Sequence, residues 1–171
     1  MDNVFIEHMV EKDDKNMRII KKAGMILGIA IVLFIGFTVF TQFFTIALLI
    51  CILVVFFFWG KIDREYEYIY TDGNLDVDVI YGRSARKRLL SADTRDFQFI
   101  AYGGSTAYHA KIEAKYDKTL DCGAGGIRDN SYVGVVTRGD KTIKLIFEPD
   151  ERMVAALKRY IPRKFEAKPE Y

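Results

Sequence analysis

The chain has 171 residues, with 25 Lys and Arg against 23 Asp and Glu, a net charge of +2. That length suits one modest domain with an appendage, and so small a charge gives no support for nucleic-acid binding. Two cysteines and two histidines leave too little material for a disulfide framework or for a metal site built without carboxylates. No cofactor is expected.

Residues 1–22 read as an N-terminal cytoplasmic arm. Phe5, Ile6, Met9 and Val10 recur at the spacing of one helix face, which predicts a partly helical segment lying on the bilayer or on the soluble domain. Its five acids and five bases cancel, so it is no polybasic lipid tether.

Residues 23–60 form an uncharged run of 38 residues between Lys22 and Lys61. One straight helix of that length would measure about 57 Å, whereas a bilayer core of about 30 Å takes about 20 residues per crossing. Two short spans fit instead, about 23–40 and 43–60, with a tight turn at Phe40-Thr41-Gln42. A signal peptide would have one shorter apolar core and would start earlier. Trp59 suits an interfacial anchor, and Lys12, Lys15, Arg18, Lys21, Lys22, Lys61 and Arg64 flank the run while the turn has no base. The positive-inside rule then predicts a multi-pass protein of the cell (cytoplasmic) membrane with both termini in the cytoplasm. In that compartment Cys51 and Cys122 stay reduced.

From residue 61 the pattern changes to period two. Tyr66, Tyr68 and Tyr70 share one face, and Asp72-Gly73 is a strong two-residue hairpin signal. Strands follow at 74–81, 85–91, 95–101, 118–122, 132–137 and 141–147, with 102–117 ambiguous and a flexible Gly123-Ala124-Gly125-Gly126 loop. Pro149, Asp150 and Glu151 open a helix, placed with Pro149 in its first turn; Met153, Val154, Leu157 and Ile161 make its buried stripe and Pro162 stops it. Residues 163–171 read as a loose tail.

About seven antiparallel strands and a C-terminal capping helix over 61–162 resemble the pleckstrin-homology (PH) superfold, a bent sheet or partial barrel. Five marks extend the likeness: the two-span hairpin, Tyr66-Glu67-Tyr68, Asp72-Gly73-Asn74-Leu75-Asp76, Arg86-Lys87-Arg88, and Phe147-Glu148-Pro149-Asp150-Glu151. Together they resemble an uncharacterised bacterial family of small two-span membrane proteins with a PH-like cytoplasmic domain. The resemblance covers most of 20–165, and it supplies no activity to carry over.

Arg83, Arg86, Lys87 and Arg88, near a hairpin tip, are the candidate site. Such a cluster suits contact with an anionic lipid surface. The competing reading places Arg88 opposite Asp78 in a cross-strand ion pair, with Asp76 and Asp78 partly cancelling the patch. Cys122 and His109 are the only soluble-domain thiol and imidazole, and nothing in the sequence supplies the third, orienting group of a nucleophilic site. No catalytic residue is assigned, and the protein is expected not to be an enzyme. The expected function is a membrane-anchored binding module that recruits a protein partner or contacts anionic lipid. The alternative is a small accessory or self-associating subunit of a transporter or channel complex, acting through its hairpin. No ionisable residue lies within 23–60, which argues against an ion pathway there.

Overall fold

The computed structural model describes residues 4–13, 15–39, 44–59, 62–82 and 85–169. The chain falls into two compact units. One comprises 1–13, 65–80 and 86–171, and the other 14–64 and 81–85.

The first unit is mainly β. Strands β1 (Phe5–Glu11), β2 (Arg64–Thr71), β3 (Asn74–Tyr81) and β4 (Ala85–Asp93) form a four-stranded sheet in sequence order. A second sheet has the order β6-β8-β7-β5-β9, from β5 (Phe97–Tyr102), β6 (Lys118–Asp121), β7 (Tyr132–Arg138), β8 (Lys141–Phe147) and β9 (Phe165–Glu166).

Within the arm expected to be partly helical, residues 5–11, whose apolar spacing predicted a helix face, form strand β1, while residues 15–22 are helical. Strand β1 runs antiparallel to β2, from Phe5 opposite Thr71 to Glu11 opposite Glu65. Phe-Ile-Glu-His-Met-Val-Glu satisfies both periods, and Ile6, His8 and Val10 take the less exposed positions of an alternating strand. The otherwise open edge of β2 decides between them, because pairing satisfies backbone groups on both strands. Past β1, the Lys12 ammonium donates to Asp121 Oδ2 at 2.7 Å, and the Asp13 amide to the Ala124 carbonyl at 2.7 Å.

Among the described residues of 61–162 stand seven strands, β2–β8, with β1 and β9 outside that range, and two pairings, β6–β8 and β5–β9, are parallel where antiparallel ones were expected. The segment expected to be a loose tail supplies β9. Phe165 pairs with Ile100, its ring stacks on Tyr132 at 5.6 Å, and the Ile100 amide donates to the Lys164 carbonyl at 2.8 Å. The ambiguous 102–117 stretch holds the short helix α3 (His109–Glu113, numbered in chain order after the two helices of the other unit). Helix α4 (Glu151–Tyr160) starts at an Asp150 cap whose side chain accepts from the Met153 amide at 2.9 Å. Pro149 therefore precedes the cap, outside the first turn.

Asp72 (φ 47°) and Gly73 (φ 95°) both occupy left-handed backbone, as a two-residue hairpin turn with the twist of its strands requires. Tyr160 packs against Gly73 where a Cβ would stand. The three tyrosines of β2 are buried. Tyr68 is fully buried; its hydroxyl donates to the Cys122 carbonyl at 2.6 Å and accepts from the Glu148 amide at 3.3 Å, tying β2 to the segments after β6 and β8. Tyr68→Phe strands both backbone groups, and the expected loss of about 1–3 kcal/mol is measurable by chemical denaturation of the full chain in detergent.

The second unit contains α1 (Lys15–Val39) and α2 (Phe44–Phe58). The first helix was expected to begin near residue 23. It begins at Lys15, because hydropathy marks where the apolar part starts, and charged residues continue a helix as well as apolar ones. The turn expected at 40–42 lies outside the described residues. At 25 residues, α1 is about 37 Å long and is long and apolar enough to cross a membrane. Helix α2, at 15 residues, reaches about 22 Å. The pair pack where Gly36 meets Ala47 and where Phe37 and Phe44 stand edge to face at 5.8 Å.

Candidate functional site

Among the four basic candidates, Arg83 lies outside the described residues. The Arg86 Nε donates to Asp78 Oδ2 at 2.6 Å, and the same guanidinium pairs with Glu67. The Arg88 Nε donates to Asp78 Oδ1 at 2.6 Å, with another nitrogen on Asp76 Oδ2 at 2.6 Å. The structure thus joins Arg86 and Arg88 to three carboxylates of β2 and β3. Lys87 is exposed and has no carboxylate partner among the described residues.

Asp78 and Glu67 are both buried beneath the arginines, with side chains 3% and 6% exposed. Hydrogen bonds from Arg88 hold Asp78 below the usual carboxylate range, with Arg86 adding to the pull. Burial pushes Glu67 the other way, and the facing carboxyl of Glu7 reinforces this against the pull of Arg86. The signs differ accordingly. Asp78 stabilises the fold above its unfolded value of about 3.8 and loses that contribution as pH falls through its lowered folded value. Glu67 contributes below its unfolded value of 4.5 and loses that contribution as pH rises through its raised folded value. Glu67→Gln should therefore match the parent chain near pH 4 and gain on it as pH rises toward 7. Thermal unfolding followed by near-ultraviolet circular dichroism across that range checks this; a constant difference would show that Glu67 does not carry the effect.

An open cleft of about 870 Å³ lies in the same unit, between β1 and α4. His8 and Val10 form one wall, Val154, Ala155 and Lys158 the other, and Tyr132 lies between. Among the described residues strand β1 is an edge of its sheet, so the side away from β2 has backbone groups that no described strand pairs. The sequence did not reveal this cleft, because one of its walls belongs to β1, far from α4 in sequence.

Cys122 is buried beside the core, and burial pushes its thiol up to about 12, with Asp121 adding to the shift. At neutral pH such a thiol is no nucleophile. No group of three His, Cys, Asp or Glu able to hold a metal ion occurs among the described residues.

A second polar cluster lies in the helical unit. The Lys22 ammonium sits 3.2 Å from Asp63 Oδ2 and 5.3 Å from the centre of the Trp59 ring, and an Arg18 nitrogen is 3.6 Å from Asp63 Oδ1. The Asp63 carbonyl accepts from the Gly82 amide at 3.1 Å, and the Arg64 guanidinium lies 5.8 Å from the centre of the Tyr81 ring. The unit carries seven bases against two acids, a surplus of five, whereas the β unit has 18 bases against 21 acids. Whole-chain arithmetic conceals that division.

The family model for the bacterial PH-like domain (DUF6106) matches residues 2–167. No curated protein and no solved structure gives a significant match.

Proposed function

Because this chain belongs to the bacterial PH-like domain family, we propose that it is a membrane-anchored binding module. In this reading the two helices form a hairpin set into the cytoplasmic membrane. They hold the PH-like domain at the cytoplasmic face, where it recruits a protein partner or contacts anionic lipid, Lys87 and Arg83 included.

One observation carries the anchoring. Strand β1 precedes both helices, β2 follows both, and the two strands pair residue by residue. Paired strands lie on one side of a bilayer, so the chain crosses it an even number of times. If α1 crosses, α2 crosses as well, and its shortness is accommodated by local thinning of the bilayer or by residues that flank the helix. The bases before α1 and after α2 favour the cytoplasm for that side.

Anchoring places the domain at high effective concentration near membrane partners, so that a weak contact suffices. A photoreactive residue in place of Ala155, on the cleft wall, tests recruitment in native membranes. The expected result is a discrete protein adduct that persists when 23–60 are exchanged for an unrelated two-helix hairpin. Absence of any protein adduct counts against recruitment at the cleft.

Loss of an otherwise discrete adduct upon that exchange favours the second reading, a small subunit acting through its hairpin in a transporter or channel complex. Gly24 and Gly28 support it, since they stand one turn apart on α1 with open space where their Cβ atoms would be, which permits close approach of another helix.

A further inference from the structure

We infer that the open edge of β1 takes an extended peptide of a partner protein as an added strand, and that this peptide presents a basic, an apolar and an acidic side chain, in that order and two residues apart, to the cleft beside α4. This rests on the recruitment reading above and names the chemistry of the partner segment.

The Asp72 amide donates to the Val4 carbonyl at 3.1 Å, one pair beyond Phe5 and Thr71 in the β1–β2 register. Bonded and non-bonded pairs alternate along an antiparallel ladder, so Ile6, His8 and Val10 turn their peptide groups toward β2. Phe5, Glu7 and Met9 turn theirs the opposite way, where no strand among the described residues pairs them. A strand laid along that edge sends every second side chain to the face that holds His8 and Val10. That face is one wall of the cleft, across from Val154, Ala155 and Lys158 of α4. A row of outward backbone groups beside a cavity of about 870 Å³ suits the addition of a peptide strand.

Charge sets the order of the occupant's side chains. Within the cleft Asp150 is committed to the α4 cap, Glu148 accepts from the Ala124 amide, and Lys168 donates to the Asp129 carbonyl. Glu151 and Lys158 also line it, are exposed, and have no ion-pair partner among the described residues. They stand seven residues apart on α4, about 10.5 Å along its axis. At about 3.3 Å per strand residue, same-face positions four apart come nearest to that span, with one apolar position between them over Val10 and Val154.

Direction follows from the partners of β2. His8 is opposite Tyr68, whose hydroxyl accepts at 3.3 Å from Glu148, just before α4. Ile6 is opposite Tyr70, whose ring meets that of Tyr160, the last residue of α4, at 6.5 Å. Strand β1 and α4 therefore run in opposite directions. A peptide antiparallel to β1, the more stable pairing, runs with α4 and brings its base to Glu151 and its later acid to Lys158.

Two fluorescein-labelled peptides, Thr-Lys-Thr-Val-Thr-Glu-Thr and the same chain with Lys and Glu exchanged, are titrated against the full chain in detergent by fluorescence anisotropy. The first should bind more tightly, and Glu151→Lys with Lys158→Glu should invert the preference. Hydrogen exchange at the Glu7 and Met9 amides should slow on binding, a readout that needs no substitution. Met9→Pro removes one outward donor and should weaken binding by up to about tenfold, whereas Met9→Thr keeps the donor and should not. Absence of binding by either peptide, equal binding of both, or binding that leaves those amides unprotected overturns the inference. Protection that grows with protein concentration and needs no peptide would assign the edge to a second copy and overturn it as well. Recruitment itself is decided separately, by the Ala155 adduct.

Discussion

Phe147→Ala is expected to cost the β unit about 3–5 kcal/mol, as truncation of a fully enclosed ring does. Phe147 is completely buried at the end of β8. Its ring stands edge to face with Tyr68 of β2 at 5.8 Å, and tilted against Tyr132 of β7 at 6.4 Å. It therefore fills the space where the two sheets meet, and neither can close over the void without giving up its own pairing. Phe147→Leu should recover much of the loss, since most of the volume returns. Denaturant midpoints of the full chain in detergent measure both. A loss below about 1 kcal/mol for the alanine variant would mean that the ring does not bridge the sheets.

Ile6→Asp acts on the other side of the same core. Ile6 is 8% exposed, opposite Tyr70 in the β1–β2 register. The substitution loses about 1.5–3 kcal/mol of apolar burial and adds the cost of placing a carboxylate against tyrosine rings. Because β1 is an edge strand, the chain has a cheaper response than global unfolding, namely release of β1 alone. Hydrogen exchange should then show loss of protection at the β1 amides and at the β2 amides bonded to them, with β5, β7 and β8 still protected. Loss of protection throughout the unit, or full protection of β1, would contradict the edge assignment.

The sequence makes some of this architecture legible and hides the rest for identifiable reasons. Asp72-Gly73 announces its turn because few other residue pairs take two successive left-handed conformations. The Arg88–Asp78 pair is legible because it joins neighbouring strands of one hairpin, so counting from the turn suggests it. The second partner of Arg86, Glu67, is invisible to such counting because it belongs to another strand, β2. Strand β1 is hidden more deeply. Its seven residues fit a helix face as well as a strand, and the partner that decides between them follows both α1 and α2. Strand β9, two residues long, has no periodicity to detect, and its place is set by partners distant in sequence, β5, Tyr132 and Ser105. The first two turns of α1 carry no apolar signal strong enough to mark a helix start.

The same lesson applies to the candidate site. Four bases in six residues look like a free patch until the carboxylates facing them are known, and those carboxylates come from two other strands. The basic surplus of the helical unit is spread in sequence over 15–22, 61–64 and 81–85, too dispersed to register as a motif.

The most direct test of the proposed architecture is a cysteine crosslink between Glu7→Cys and Ile69→Cys. These positions are directly opposite across the β1–β2 pair, at a separation a disulfide spans, although 14–64 lie between them. With Cys51 and Cys122 replaced by alanine, oxidation of isolated membranes should link the two positions within one molecule. Glu7→Cys with Thr71→Cys, two residues out of register, should link much less. That result would place the segments before α1 and after α2 on the same side of the bilayer, in the pairing described. Failure to link, or labelling of the two cysteines from opposite faces of the membrane, would contradict the paired strands and with them the anchored module.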